Sequence, residues 1–193
     1  TIYTYSETPH SKKPGKAKPA ATTKPTSRVP RRPGAGADTT DVPTVTSKTI
    51  FGGGAVAAFH GYAYVIPEGT ARMPNFDDLV PFAQLYTDQF DIAPQTFAGG
   101  FPGALLQDEW FAIRYTGKIM APVAATWSFK LISDDGAVVY LDGKRILDAD
   151  GIHTPRMNVA DVALAAGEHK LQLDYFQEKK GAVALQLYAV VGG

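Results

Sequence analysis

From about residue 50 onward, apolar and polar side chains alternate. In "WFAIRYTG" (110–117), Phe111, Ile113 and Tyr115 share one face. In "TWSFKLIS" (126–133), Trp127, Phe129 and Leu131 lie on one side, Ser128 and Lys130 on the other. "HKLQLDYF" sets Leu171, Leu173 and Tyr175 against Lys170, Gln172 and Asp174, and "FHGYAYVIP", "AVVYLDG" and "AVALQLYAV" repeat the pattern. A period of two with one polar face predicts half-buried antiparallel strands. The connections "LDGKR", "AAGEH" and "EKKGA" each place a glycine where a tight turn uses positive φ. No stretch has a convincing helical period. Short strands at roughly ten-residue spacing predict an all-β sandwich or closed barrel.

Two segments break the pattern. Residues 67–109, with "PEGTARMPNFDDLVPF" and "DIAPQTFAGGFPGALLQDE", are rich in Pro, Gly and Phe and read as long loops packed on the sandwich by their aromatic rings. Residues 1–48 hold seven of the fourteen prolines and almost no large apolar side chains. Such a segment buries too little surface to offset its ordering entropy, so an extended tail with polyproline character is expected, followed by one domain over 49–193.

Charge sharpens that division. The chain is neutral overall, yet residues 1–37 carry eight Lys and Arg against Glu7 alone, or +7, which leaves −7 on the remainder. A basic tail on an acidic domain reads either as a solvated spacer or as a segment that docks on a partner, with Tyr3 and Tyr5 as apolar anchors and Lys12, Lys13, Arg31 and Arg32 among the attracting charges. No aromatic residues interleave with the lysines, so nucleic acid is not the expected partner. The chain has no cysteine, which excludes disulfides and thiolate chemistry. No apolar run approaches the roughly 20 residues of a membrane helix.

Several motifs together resemble the PA14 domain family. They are an aromatic strand with Arg and Gly ("WFAIRYTG"), then "AP", then "TWSFKLISDDG", then "LDG", then "AAGEHKLQLDYF", in the family's order over residues 55–191. The resemblance implies an antiparallel β-sandwich module, non-catalytic in itself, from an exported bacterial protein of the envelope or surface. Export would then use a leader outside this stretch. It also implies that Asp134 and Asp135, joined by a cis peptide, hold calcium, which in turn binds sugar hydroxyls.

In a regular strand, Asp134 and Asp135 point to opposite faces and could share a ligand only at a break, which Gly136 permits. Two readings follow. Either the pair holds calcium and a carbohydrate, or one carboxylate caps the N–H groups of a turn while the other is solvated. Asp148 and Asp150 in "DADG" suggest a calcium loop, but the downstream Glu of an EF-hand is missing. Asp142 is expected to shape a hairpin turn, and Arg114 to pair with carbonyl groups or with a buried acid such as Asp135 or Glu109. His10, His60, His153 and His169 lack metal-ligand spacing.

Catalytic signatures are missing. There is no G-x-S-x-G elbow, and "FGGGAV" lacks the Lys-Ser/Thr of a phosphate loop. Adjacent carboxylates also do not suit glycoside hydrolysis, whose acid and base stand about 5 Å or more apart. The expected function is therefore an extracytoplasmic binding or assembly module. It either takes a glycan through calcium, docks by its tail into an envelope complex, or serves as accessory domain to a secreted glycosidase.

Overall fold

The computed structural model describes residues 44–46 (backbone), 59–96, 101, 107–179 and 181–191. Eleven strands are found there: β1 (Thr44–Thr46), β2 (Phe59–Val65), β3 (Pro81–Thr87), β4 (Asp91–Thr96), β5 (Phe111–Ala121), β6 (Ala125–Asp134), β7 (Ala137–Leu141), β8 (Lys144–Ala149), β9 (Arg156–Leu164), β10 (Gly167–Gln177) and β11 (Ala182–Val191). They form two sheets, ordered β1-β3-β2-β5-β10-β7-β8 and β4-β11-β6-β9. All pairs are antiparallel except β1 with β3. The fold is the expected all-β sandwich. A short 3-10 turn, Phe76–Asp78, lies between β2 and β3.

Alternation becomes sandwich because the apolar faces of both sheets meet. Phe111, Ile113 and Tyr115 of β5, Leu173 and Tyr175 of β10, Phe129 and Leu131 of β6, and Leu185 of β11 are all essentially sealed from solvent. Aromatic rings fill the interior in tilted and edge-on pairs, such as Phe90 on Tyr115 at 5.0 Å and Phe101 on Phe111 at 5.5 Å. Gly61 is required on β2 because a Cβ there would stand 2.5 Å from the Tyr115 ring. The hairpin between β7 and β8 turns at Asp142 (φ 50°) and Gly143 (φ 79°), both left-handed, as expected of "LDG". Asp142 Oδ1 also accepts the Lys170 N–H at 2.8 Å.

The segment 67–109 is not loop throughout. β3 and β4 lie inside it, as the inner partner of β1 and the edge of the smaller sheet. β3 alternates only in part: Phe82 packs against the core beside an irregularity in the pairing with β2, Tyr86 stands on the outer face and Thr87 is buried on the inner one, so the polar-apolar contrast is blurred. The true loop, 66–80, folds over one end of the larger sheet's outer face. There Tyr64, Ile66, Phe76, Ala112 and Phe176 form a second apolar cluster. The cluster roofs an ion pair: Arg114 grips Asp174 through Nε and Nη2, both at 2.8 Å, and lies 4.2 Å over the Phe76 ring. The partner of Arg114 is thus Asp174, not Asp135 or Glu109. The reason is register, since Asp174 sits directly opposite Arg114 on the neighbouring strand. The tail residues Tyr3, Tyr5, Lys12, Lys13, Arg31 and Arg32 lie outside the described residues.

Candidate functional site

β6 belongs to the smaller sheet and β7 to the larger. The chain crosses between them at Asp134, Asp135 and Gly136, so the carboxylate pair stands at a corner of the sandwich. The Asp134–Asp135 peptide bond is cis. Gly136 is forced by close approach. A Cβ there would lie 2.3 Å from Phe176 Cε1 and 3.0 Å from the Gly151 backbone nitrogen. Phe176 N–H donates to the Gly136 carbonyl at 2.9 Å, which fixes the corner onto β10.

The two carboxylates have different surroundings. Asp135 is engaged on both oxygens: Oδ1 accepts the His153 N–H at 3.2 Å, and Oδ2 accepts the Glu178 N–H at 2.8 Å and Gln177 Nε2 at 3.2 Å. It ties the 150–155 loop to the β10–β11 turn. Burial raises its pKa, and the Glu178 and His153 N–H groups oppose the rise. Asp134 is 6% exposed and its carboxylate receives no hydrogen bond from any described residue. Its backbone carbonyl accepts the Tyr175 hydroxyl at 2.6 Å. Burial, and then the charge of Asp135, push the Asp134 carboxyl up to about 6.

The framework beneath the pair is one that sequence reading did not assign. Tyr175 and Gln177 are inward-facing on β10, and the Tyr175 hydroxyl also meets Gln177 Oε1. Gln177 Nε2 further donates to the carbonyls of Lys179 and Ala182, at 3.1 and 3.2 Å. The available signal was a glutamine at an inward strand position, where an amide persists only when its polar atoms are satisfied.

Asp148 and Asp150 do not join the pair. Asp148 Oδ1 accepts the Asp150 N–H at 3.0 Å and Oδ2 meets Arg145 at 2.7 Å, while Asp150 Oδ1 accepts the Met73 N–H at 2.7 Å. They pin the "DADG" turn and the 66–80 loop. His153 lies beside the pair, yet its Nε2 and Nδ1 face the carbonyls of Ala149 and Thr154, at 2.8 and 3.0 Å. Among the described residues, no group of three or more His, Cys, Asp or Glu is placed to hold a metal. Two carboxylates are what these residues contribute. That donor set suits a hard cation whose other ligands are carbonyls, water and ligand hydroxyls, and does not suit zinc.

The fold and this corner define a class, and comparison agrees. Residues 101–190 match the PA14 domain. The chain carries a PA14 domain, as the sequence motifs imply. The structure resembles the PA14 domain of the MpAFP antifreeze protein (TM-score 0.60, 18% identity, 72% of this chain and 84% of that one). It also resembles the PA14 sugar-binding domain from an RTX adhesin (TM-score 0.58, 18% identity, 72% and 93%). At these identities the likeness is one of fold. A curated relative, the anti-sigma-I factor RsgI3 of Acetivibrio thermocellus, is 24% identical over 91 residues, and the chain spans 14% of its length. No helix among the described residues is long and apolar enough to cross a membrane.

Proposed function

We propose that this PA14 domain is a non-catalytic carbohydrate-binding module of an exported envelope or surface protein, and that its ligand binds through a calcium ion held by Asp134 and Asp135. The observation that carries the reading is the state of Asp134: a residue only 6% exposed, whose partly desolvated carboxylate has no hydrogen-bond donor among the described residues and stands beside a second carboxylate. Burying an uncompensated charge is costly, and a cation removes the cost. Asp135, held by three N–H donors, serves as the fixed half of the pair. Calcium takes roughly six to eight oxygen ligands, so two carboxylates leave positions for vicinal hydroxyls. The RTX adhesin domain that shares this fold is a sugar-binding one, which supports the same reading.

The test is melting of the metal-free protein with and without millimolar calcium, followed by a glycan array with and without chelator. Calcium should raise the midpoint by mass action on the folded state, and Asp134→Asn should remove the rise while leaving the fold intact. An unchanged midpoint would make the pair a turn fixed by Asp135. Calcium stabilisation without calcium-dependent array signal would leave a metal-clamped corner and refute the sugar ligand.

A further inference from the structure

The outer face of the larger sheet is roofed at one end by the 66–80 loop and open at the other. The open part is a groove of about 720 Å³, a size typical of small-ligand sites. Its walls include Arg114, Thr116, Lys118, Tyr140, Lys170 and Gln172. It is separate from the Asp134–Asp135 corner. Gln172 precedes Gln177 by five residues on β10, roughly 16 Å, and Gln172 faces outward where Gln177 faces inward.

Two features of this groove call for a ligand. Lys118 and Lys170 are directly opposed partners across β5 and β10, on the same face. Like charges so placed destabilise the strand pair. The nearby acids are already engaged: Asp174 with Arg114 at 2.8 Å, Glu168 with Lys118 at 2.6 Å, and Asp142 with His169 at 2.7 Å. Lys170 has no ion-pair partner among the described residues, and the Lys118–Glu168 pair is more than half exposed on both sides and so weak. Beside the lysines runs a cross-strand row, Tyr86, His60, Thr116, Gln172 and Tyr140, in register over five strands. His60 stacks flat on Tyr86 at 4.6 Å, and Gln172 Nε2 is held against Asp174 at 3.1 Å. The row offers aromatic faces at its ends and hydroxyl and amide groups between them, over roughly 19 Å.

We infer that this groove binds an acidic oligosaccharide, a sugar carboxylate resting between Lys118 and Lys170, with ring faces and hydroxyls along the Tyr140–Gln172–Thr116 row. The local charge matches isolated negative groups. A polyanion with closely spaced phosphates would meet Glu168 and Asp142. The chain's own tail is the wrong sign. The inference does not rest on the calcium reading, because no metal enters it.

The probe is trigalacturonate, titrated calorimetrically into the full chain in excess chelator, with its methyl ester as the neutral control. Chelator silences the Asp134–Asp135 corner, and Asp134→Asn should leave the affinity unchanged. Lys118→Gln and Lys170→Gln should each weaken binding about tenfold, the ester should bind about tenfold more weakly than the acid, and neither variant should melt below the parent. Binding that survives both substitutions belongs to the basic tail and overturns the inference. So does equal affinity for the ester, or for a single-stranded oligonucleotide of equal charge, and so does the absence of binding in chelator.

Discussion

Replacing Gly136 by Ala should damage the corner in a calculable way. The added Cβ would stand 2.3 Å from Phe176 Cε1 and 2.8 Å from Cδ1, whereas carbon atoms rest about 3.5–4.0 Å apart. The ring must therefore retreat by more than an ångström. It has nowhere to go: Phe176 is fully buried, packed among Tyr64, Ile66, Phe76 and Ala112. The Gly151 nitrogen, 3.0 Å from the same Cβ, blocks the opposite adjustment. Overpacking of this kind costs about 1–3 kcal/mol, and the upper end applies where a backbone atom is one of the obstacles. For a chain of this length each kcal/mol moves the midpoint by about 2–4 °C, so a loss of about 6–12 °C is expected. Gly181→Ala is the matched control, since nothing lies within 4 Å of a Cβ there. Scanning calorimetry reads both, and Phe176→Leu combined with Gly136→Ala should recover part of the loss by making room. A Gly136→Ala midpoint within about 2 °C of the parent, or strict additivity with Phe176→Leu, would refute the packing argument.

Other expectations follow from the same structure. The folded-state pKa of Asp134, about 6, lies above its ordinary 3.8. The metal-free protein should therefore be most stable below about pH 4 with respect to this group, and lose that contribution as pH rises through 6. Asp134→Asn should flatten the slope in a pH series of melts. Calcium affinity should move oppositely, rising with pH up to about 6 and levelling above it, and constant affinity across that range would contradict the proton competition. Arg114→Met strands Asp174, whose side chain is 2% exposed, and should cost about 3 kcal/mol in denaturant unfolding, at the low end for a broken buried pair because Arg114 is itself 32% exposed. Tyr115→Phe removes a buried hydroxyl that has no hydrogen-bond partner among the described residues, and should stabilise by about 1 kcal/mol, where a loss of that size would show the hydroxyl to be satisfied.

The strands that could be read from the sequence are those with one wet face. β5, β6 and β10 alternate cleanly because solvent meets Thr116, Ser128 and Lys170 while the core meets their neighbours. β3 escaped because Tyr86 carries apolar bulk on its outer face, where a water-facing residue was expected, and because the irregularity near Phe82 breaks the period of two. β4 escaped because one residue, Ile92, is buried along its length. Asp174 alternates as a polar residue should, yet is buried because a loop distant in sequence covers it and Arg114 neutralises it. The Asp134–Asp135 corner was legible as a pair of adjacent charges. Its supports were not: the N–H groups of His153 and Glu178 are backbone atoms, and any residue type could have supplied them.

The place of that corner has a mechanical consequence. Asp134 ends a strand bonded to β11 and β9, and Ala137 begins one bonded to β10 and β8. A pull applied at the carboxylate pair therefore enters both layers at once. On one side it loads the β6 ladders, and on the other those of β7. Tension is divided between two sets of hydrogen bonds that must yield together, and the loop that Asp135 fastens to the β10–β11 turn shares the load. A site placed on a single hairpin could be peeled open one bond at a time; this one cannot.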